Sequence, residues 1–249
     1  MPEISLKAEE LFHIGSWPIT NALLLSFISL IILLIIGFTI KRKLKLIPGK
    51  FQGFFEILLE QILKLMDSVL GERKLSEKYL AVVTTIFLFI VTSNWLGLLP
   101  LGSVFLNETL EGKHLAIPLF RSPASDLNFT MGLAVVALIS INLLGVLAIG
   151  FKKHFGKFFN AHKPFPVISF VGILEFLSEF VKIVSFSFRL FGNVFAGEVL
   201  LMIVGFLVPY FVPLPFLFLE VFVGFIQAFI FSMLTLVFIA MAVKHEEAH

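Results

Sequence analysis

The chain has 249 residues, of which 58% are hydrophobic and only 14% charged, and its mean hydropathy is +1.02. That balance excludes an ordinary soluble globular domain and makes a lipid bilayer the natural solvent. A net charge of +2, with Lys and Arg grouped at the ends of apolar runs, offers no basic face for nucleic acid, and the lack of cysteine removes disulfides, thiolate catalysis and cysteine metal sites.

Residues 1–20 are expected outside the membrane, and Glu3, Glu9 and Glu10 ahead of the first apolar run argue against a cleaved secretory leader, which needs a basic start. A transmembrane helix is predicted over 21–41, because ~20 apolar residues cross ~30 Å of hydrocarbon. Lys41, Arg42, Lys43 and Lys45 place its far end in the cytoplasm. Over 51–70, apolar Phe54, Phe55, Ile57, Leu58, Ile62, Leu63 and Met66 alternate with Glu56, Glu60, Lys64 and Asp67. This is the pattern of an amphipathic helix lying on the membrane surface.

A second span is predicted over 80–100, ending at Pro100, followed by an acidic external loop over 101–126 with Glu108, Glu111, Lys113, Arg121 and Asp126. A third span over 127–151 leads to a basic cytoplasmic loop over 152–165, with Lys152, Lys153, Lys157, Lys163, His154 and His162. No proline interrupts the chain from Pro166 to Pro209, and the roughly 42 residues between them would measure ~63 Å as one helix. A helix over 166–209 must lie strongly oblique in the bilayer or break, with Gly192 and Gly197 the candidate break points. After a turn at Pro209, Pro213 and Pro215, a last helix over 216–243 ends in Lys244, His245, Glu246 and Glu247. The expected fold is therefore all-α, polytopic and a single membrane domain. It has three upright transmembrane helices, one surface amphipathic helix and a C-terminal hairpin of two long oblique helices, with the N-terminus outside and the C-terminus cytoplasmic.

No inverted repeat is visible, and the intramembrane charges concentrate in the final hairpin. Glu175, Glu179, Lys182, Arg189 and Glu198 fall on its first helix and Glu220 on its second. An Arg, Lys or Asp at the centre of a membrane helix costs about +2.5 to 3.5 kcal/mol on insertion scales, so such residues usually mark a water-filled route or a charge partner. Snorkelling at the helix end is an equal reading for Glu175, Glu179 and Lys182; it does not account for Arg189.

At 100° per residue, Glu175, Lys182 and Arg189 share nearly one face with Ser178, Ser185, Gly192, Asn193 and Ala196. That narrow, small-residue stripe suits close approach of another membrane helix, although plain helix packing explains Gly192 and Ala196 equally well. Glu198 lies about half a turn out of phase with Arg189. Glu220, Gly224 and Gln227 form a stripe on the last helix, and antiparallel packing would bring Glu220 near Glu198. Two aqueous half-channels follow: one near the cytoplasmic start of the helix at Glu175 and Ser178, one at Glu198 and Glu220. The permanent charge of Arg189 stands between them.

The segment Ser185-Phe186-Ser187-Phe188-Arg189-Leu190-Phe191-Gly192-Asn193-Val194-Phe195-Ala196-Gly197-Glu198 resembles the signature of subunit a of F-type ATP synthases. Trp17-Pro18-Ile19-Thr20-Asn21, Asn94-Trp95-Leu96-Gly97-Leu98-Leu99-Pro100, Ser122-Pro123-Ala124-Ser125-Asp126-Leu127-Asn128 and Gln227-Ala228-Phe229-Ile230-Phe231 add to the resemblance in the expected order. It implies a non-catalytic, ion-translocating stator subunit lying against a ring of subunit c, with peripheral-stalk subunit b and the rest of the ATP synthase complex as further partners and no cofactor. Arg189 would face the ring carboxylates. Glu198, Asn193, Gln227 and Glu220 would line the outer half-channel, and Glu175 and Ser178, with Ser185 on the same face, the cytoplasmic side. Two departures stand out: Glu220 takes a position where some members carry His, and Ser125 replaces the more usual Thr. A bacterial inner membrane is the expected location. Two other readings remain, a self-contained proton channel or transporter and a structural scaffold whose charges only fix helix packing.

Overall fold

The computed structural model describes residues 8–15, 17–99, 105–110, 113–118, 120–156, 167–208 and 210–244. Glu3, Pro100, Glu111, Lys157, His162, Lys163, Pro166, Pro209, His245, Glu246 and Glu247 lie outside the described residues.

The segment before the first helix is an antiparallel hairpin, β1 (Glu10–Ile14) and β2 (Trp17–Thr20), paired from Glu10 opposite Thr20 to Ile14 opposite Trp17. It leads directly into α1 (Asn21–Arg42), which starts where the Thr20 hydroxyl accepts from the Leu23 N–H at 3.2 Å. Lys41 and Arg42 close α1 at the negative end of its dipole. The next helix, α2 (Lys50–Leu70), stops at Gly71, whose φ of 82° is the left-handed cap glycine favours.

The following helix, α3 (Arg73–Leu98), begins two turns before the apolar run at Leu80, because Lys74, Ser76, Glu77 and Lys78 continue the same helix beyond its hydrophobic stretch. Its first residue ties the α2–α3 corner together: the Arg73 guanidinium reaches Glu60 at 2.7 Å, Asp67 at 2.9 Å and Glu77 at 3.3 Å. A second antiparallel hairpin, β3 (Phe105–Leu110) and β4 (Lys113–Pro118), lies in the segment expected as a plain loop. A 3-10 turn, Pro123–Ser125, precedes α4 (Leu127–Ile149), whose N-terminus is capped by Asp126 accepting from the Asn128 N–H at 2.9 Å. Gly150, with φ 86°, ends α4 two residues short of the expected limit, and the short α5 (Phe151–Gly156) follows.

The C-terminal hairpin is α6 (Val167–Leu207) and α7 (Pro213–Lys244). The helix α6 runs unbroken for 41 residues, so the break considered at Gly192 or Gly197 does not occur. A helix-interior glycine costs only about 1 kcal/mol relative to alanine, which packing along the rest of the helix offsets. α7 starts at Pro213 rather than at 216, since prolines in a first helical turn give up no hydrogen bond the helix would make.

Among the described residues, α1, α3, α4, α6 and α7 make five helices long and apolar enough to cross a membrane. Their shared core has two parts. One joins Ile86, Phe87, Ile90 and Val91 of α3 to Ala134 and Ala137 of α4, Phe186, Leu190 and Val194 of α6, and Ala228 and Phe231 of α7. The other joins Met66 and Leu70 of α2 to Tyr79 and Val83 of α3, Ile141 of α4, and Leu236 and Ile239 of α7. Thus α2 buries one edge against the bundle, whereas Phe51, Phe54 and Ile57 stay exposed. The first helix stands apart, touching mainly α3 and the 3-10 turn.

Candidate functional site

The buried stripe of α6 runs through Phe186, Leu190, Val194 and Gly197, spaced four, four and three residues apart as one helix face requires. Arg189 and Glu198 fall on its two opposite flanks. Ser185, Arg189, Gly192, Asn193 and Ala196 are all exposed on one flank. There the Arg189 guanidinium donates to the Ser185 hydroxyl at 3.2 Å, and the Asn193 amide donates to the Arg189 carbonyl at 3.0 Å. Among the described residues no carboxylate pairs with Arg189.

On the other flank, Glu198 and Glu220 line one cavity of about 120 Å³ between α3, α6, α7 and the 3-10 turn. Asn94 and Ser122 supply its remaining polar lining, and Leu98, Val194 and Leu201 its apolar walls. Three lining oxygens, Asn94 Oδ1, Ser122 Oγ and Glu198 Oε2, are buried without a hydrogen-bond partner among the described residues. Buried polar atoms around a space of this size are ordinarily satisfied by water.

Each carboxylate has its own support. The Glu220 carboxyl is packed on Gly197 so closely that a methyl group there would collide with it. Gly197 therefore serves close helix approach and not a break. Two side-chain bonds fix α7 beside Glu220: the Asn94 amide donates to the Gly224 carbonyl at 3.1 Å and the Trp95 indole to the Val221 carbonyl at 3.0 Å. Glu198 Oε1 lies 3.5 Å from Arg121 Nε, which also donates to Ser125 Oγ at 3.1 Å, while Ser125 donates to the Ser122 carbonyl at 2.9 Å. Gln227 is half-buried on α7, two turns from Glu220 on the same face.

The other end of α6 is organised differently from the single stripe expected. Lys182 Nζ bonds Glu179 Oε1 at 2.9 Å and lies 4.7 Å from the Phe238 ring centroid of α7, so it turns away from Arg189 and into the hairpin. Glu175 is half-buried, and the Ser178 hydroxyl donates to its carbonyl at 2.8 Å, a local helix bond.

Local sequence pattern does not mark Arg121, Asn94, Trp95, Ser122 and Ser125 as site residues, though all lie in or beside the motifs at 94–100 and 122–128. Their long-range partners, Val221, Gly224 and Glu198, are invisible to local patterning. The sequence groups His154 with the loop cations, yet it is fully buried, with Nε2 2.9 Å from Asn142 Oδ1 and its ring against Gly145.

Among the described residues, five membrane-length helices present Arg189 outward from α6 and bring Glu198 and Glu220 to one cavity, the arrangement of a polytopic membrane protein with charges inside its spans. The profile of the ATP synthase A chain family matches residues 23–240. ATP synthase subunit a of Campylobacter fetus subsp. fetus (strain 82-40) is 34% identical over 249 residues, covering 100% of both chains. The Campylobacter concisus (strain 13826) subunit is 36% identical over 217 residues, 87% of each chain. That of Moorella thermoacetica is 33% identical over 237 residues, 94% of this chain and 96% of the relative. The chain belongs to the ATP synthase A chain family, subunit a of F-type ATP synthases.

Proposed function

We propose that the chain is the non-catalytic, proton-translocating stator subunit of a rotary ATP synthase, with two half-channels that meet a ring of subunit c on either side of Arg189. The observation that carries this reading is the division of α6: a guanidinium with no carboxylate partner among the described residues on an exposed flank of small residues, and two carboxylates gathered on one cavity on the other flank.

The exposed flank, with Gly192 and Ala196 beside Arg189, admits a partner helix closely. Ring carboxylates passing there find a cation that never deprotonates and that favours their ionised form. Protons reach the ring through the outer half-channel lined by Glu220, Glu198, Asn193 and Gln227. They leave on the cytoplasmic side near Glu175, Ser178 and Ser185. Each charge moved across the membrane is worth ~2.3 kcal/mol per 100 mV, which drives rotation, and reversal makes the complex a pump.

At 1.5 Å per residue the 41 residues of α6 extend ~60 Å, so α6 crosses the bilayer obliquely and presents a long edge to the ring. The basic segments around Lys41–Lys45 and Lys152–Lys153 face the cytoplasm of a bacterial inner membrane, with the N-terminal hairpin outside and the C-terminus inside. Peripheral-stalk subunit b and the remainder of the complex complete the stator. The test is Arg189→Ala in the complex reconstituted into vesicles. Proton-driven ATP synthesis is lost if the reading holds; synthesis at the wild-type rate would overturn it.

A further inference from the structure

We propose that Glu9, in the segment ahead of α1, is the outermost carboxylate of the outer half-channel, gathering protons from water and passing them along the path by Arg121 to Glu198 and Glu220. This rests on the half-channel reading above.

Glu9 is not on a loose tail. Its carbonyl accepts from the Asn21 N–H at 3.1 Å and its Oε2 from the Asn21 amide group at 3.3 Å. Asn21 itself is fully buried, with Oδ1 accepting from the Ala22 N–H at 2.9 Å. The carboxylate is thereby held at the first turn of α1, which packs on the 3-10 turn of Pro123–Ser125. Arg121 stands beside that turn, bonded to Ser125 and reaching Glu198.

Arg121 and Glu198, themselves 3.5 Å apart, both act electrostatically on the Glu9 carboxyl. Burial, the largest effect, raises the Glu9 pKa above the ordinary value, Arg121 opposes it and Glu198 adds to it. A raised pKa suits a group that must take up a proton and release it again. Of the other titratable groups in the hairpin, Glu10 and His13 lie 3.3 Å from each other. Half-buried at the start of α1, on the side of the 3-10 turn that carries Arg121, Glu9 gives the N-terminal hairpin a use beyond leading into α1.

Glu9→Gln removes the titrating group and keeps an acceptor oxygen for Asn21, and Glu9→Asp keeps the titrating group. Proton-driven ATP synthesis by the reconstituted complex is measured as small-molecule buffer is raised on the side facing the hairpin. The expected result is a loss of about tenfold for Glu9→Gln at low buffer, the order of local proton focusing by a charged funnel. Added buffer or the Glu9→Asp variant should recover the rate. A wild-type rate for Glu9→Gln at every buffer concentration overturns the inference, and so does a loss that buffer leaves unchanged, since Glu9 would then be an anchor alone. Glu198→Gln, run in parallel, separates the two claims. If it leaves synthesis intact, the half-channel reading falls; if it stops synthesis while Glu9→Gln does not lower it, only the role of Glu9 falls.

Discussion

The Glu220 carboxyl of α7 rests on the backbone of Gly197 in α6, one residue before Glu198, so a single close contact between the hairpin helices brings two acidic groups to one cavity. Gly197→Ala inserts a methyl group where that carboxyl lies. Overpacking of a tight interface costs ~1–3 kcal/mol, and here the side chain that must give way is Glu220. The expected outcome is lower thermal stability of the complex together with reduced proton conduction. Gly132→Ala on α4 is the control, because among the described residues nothing lies within 4 Å of its Cβ position and it is away from the flank of Arg189. It should leave stability unchanged.

The exposed flank of α6 supplies a second test. The chain contains no cysteine, so Gly192→Cys or Ala196→Cys introduces a unique thiol on the face of Arg189. If that face meets the ring, either thiol should cross-link to a matching cysteine on a ring helix, and turning the ring should change which copy is captured. Cysteine at the buried Val194, on the internal stripe, should not react. Equal cross-linking from all three positions would contradict the assignment of faces.

Burial gives Glu9 a pKa above the ordinary glutamate value, with Arg121 opposing and Glu198 adding to the shift. A carboxyl whose folded pKa exceeds its unfolded one binds its proton more tightly in the folded state. Its contribution to docking of the N-terminal hairpin is therefore complete below the unfolded pKa and lost as pH rises through the folded one. Protection of the Asn21 amide, which donates to the Glu9 carbonyl, should fall over that window once intrinsic exchange is divided out. In Glu9→Gln the protection should be flat with pH.

Much of this architecture is legible in composition and spacing, because a bilayer demands long apolar helices and penalises every stray charge. Five such helices, the isolation of Arg189 and the half-turn offset of Glu198 all follow from that demand. What escapes is whatever depends on contacts distant in sequence. Asn94 and Trp95 bond carbonyls of α7 some 130 and 126 residues away. Lys182 shares the predicted face of Arg189, yet its flexible stem carries the ammonium to Glu179 and Phe238. His154 reads as one more loop cation until α5 folds it back against Gly145 and Asn142. Of the two glycines considered as break points, Gly197 is a position of close approach to Glu220, set by the neighbouring helix and not by local propensity, and the helix runs unbroken through both.

The last prediction concerns Arg121 and Glu198. Their 3.5 Å contact joins a guanidinium that is 8% exposed to a carboxylate that is 31% exposed, and Arg121 also donates to the fully buried Ser125. Removing the cation leaves Glu198 charged beside a cavity whose walls are largely apolar and leaves Ser125 short of a donor. Arg121→Gln should destabilise the complex by ~1–3 kcal/mol, the usual cost of stranding a buried polar partner. Glu198→Gln should cost less, since its amide still offers an oxygen to Arg121. The double variant should fall short of the sum of the singles, with a coupling of ~0.5–3 kcal/mol for residues in direct contact. Thermal melting of the four complexes measures that coupling, and proton conduction measured on the same preparations tests its consequence. If Arg121 sets the orientation of Glu198, Arg121→Lys should restore more conduction than Arg121→Gln, while additive stabilities would mean that the two groups are neighbours without being partners.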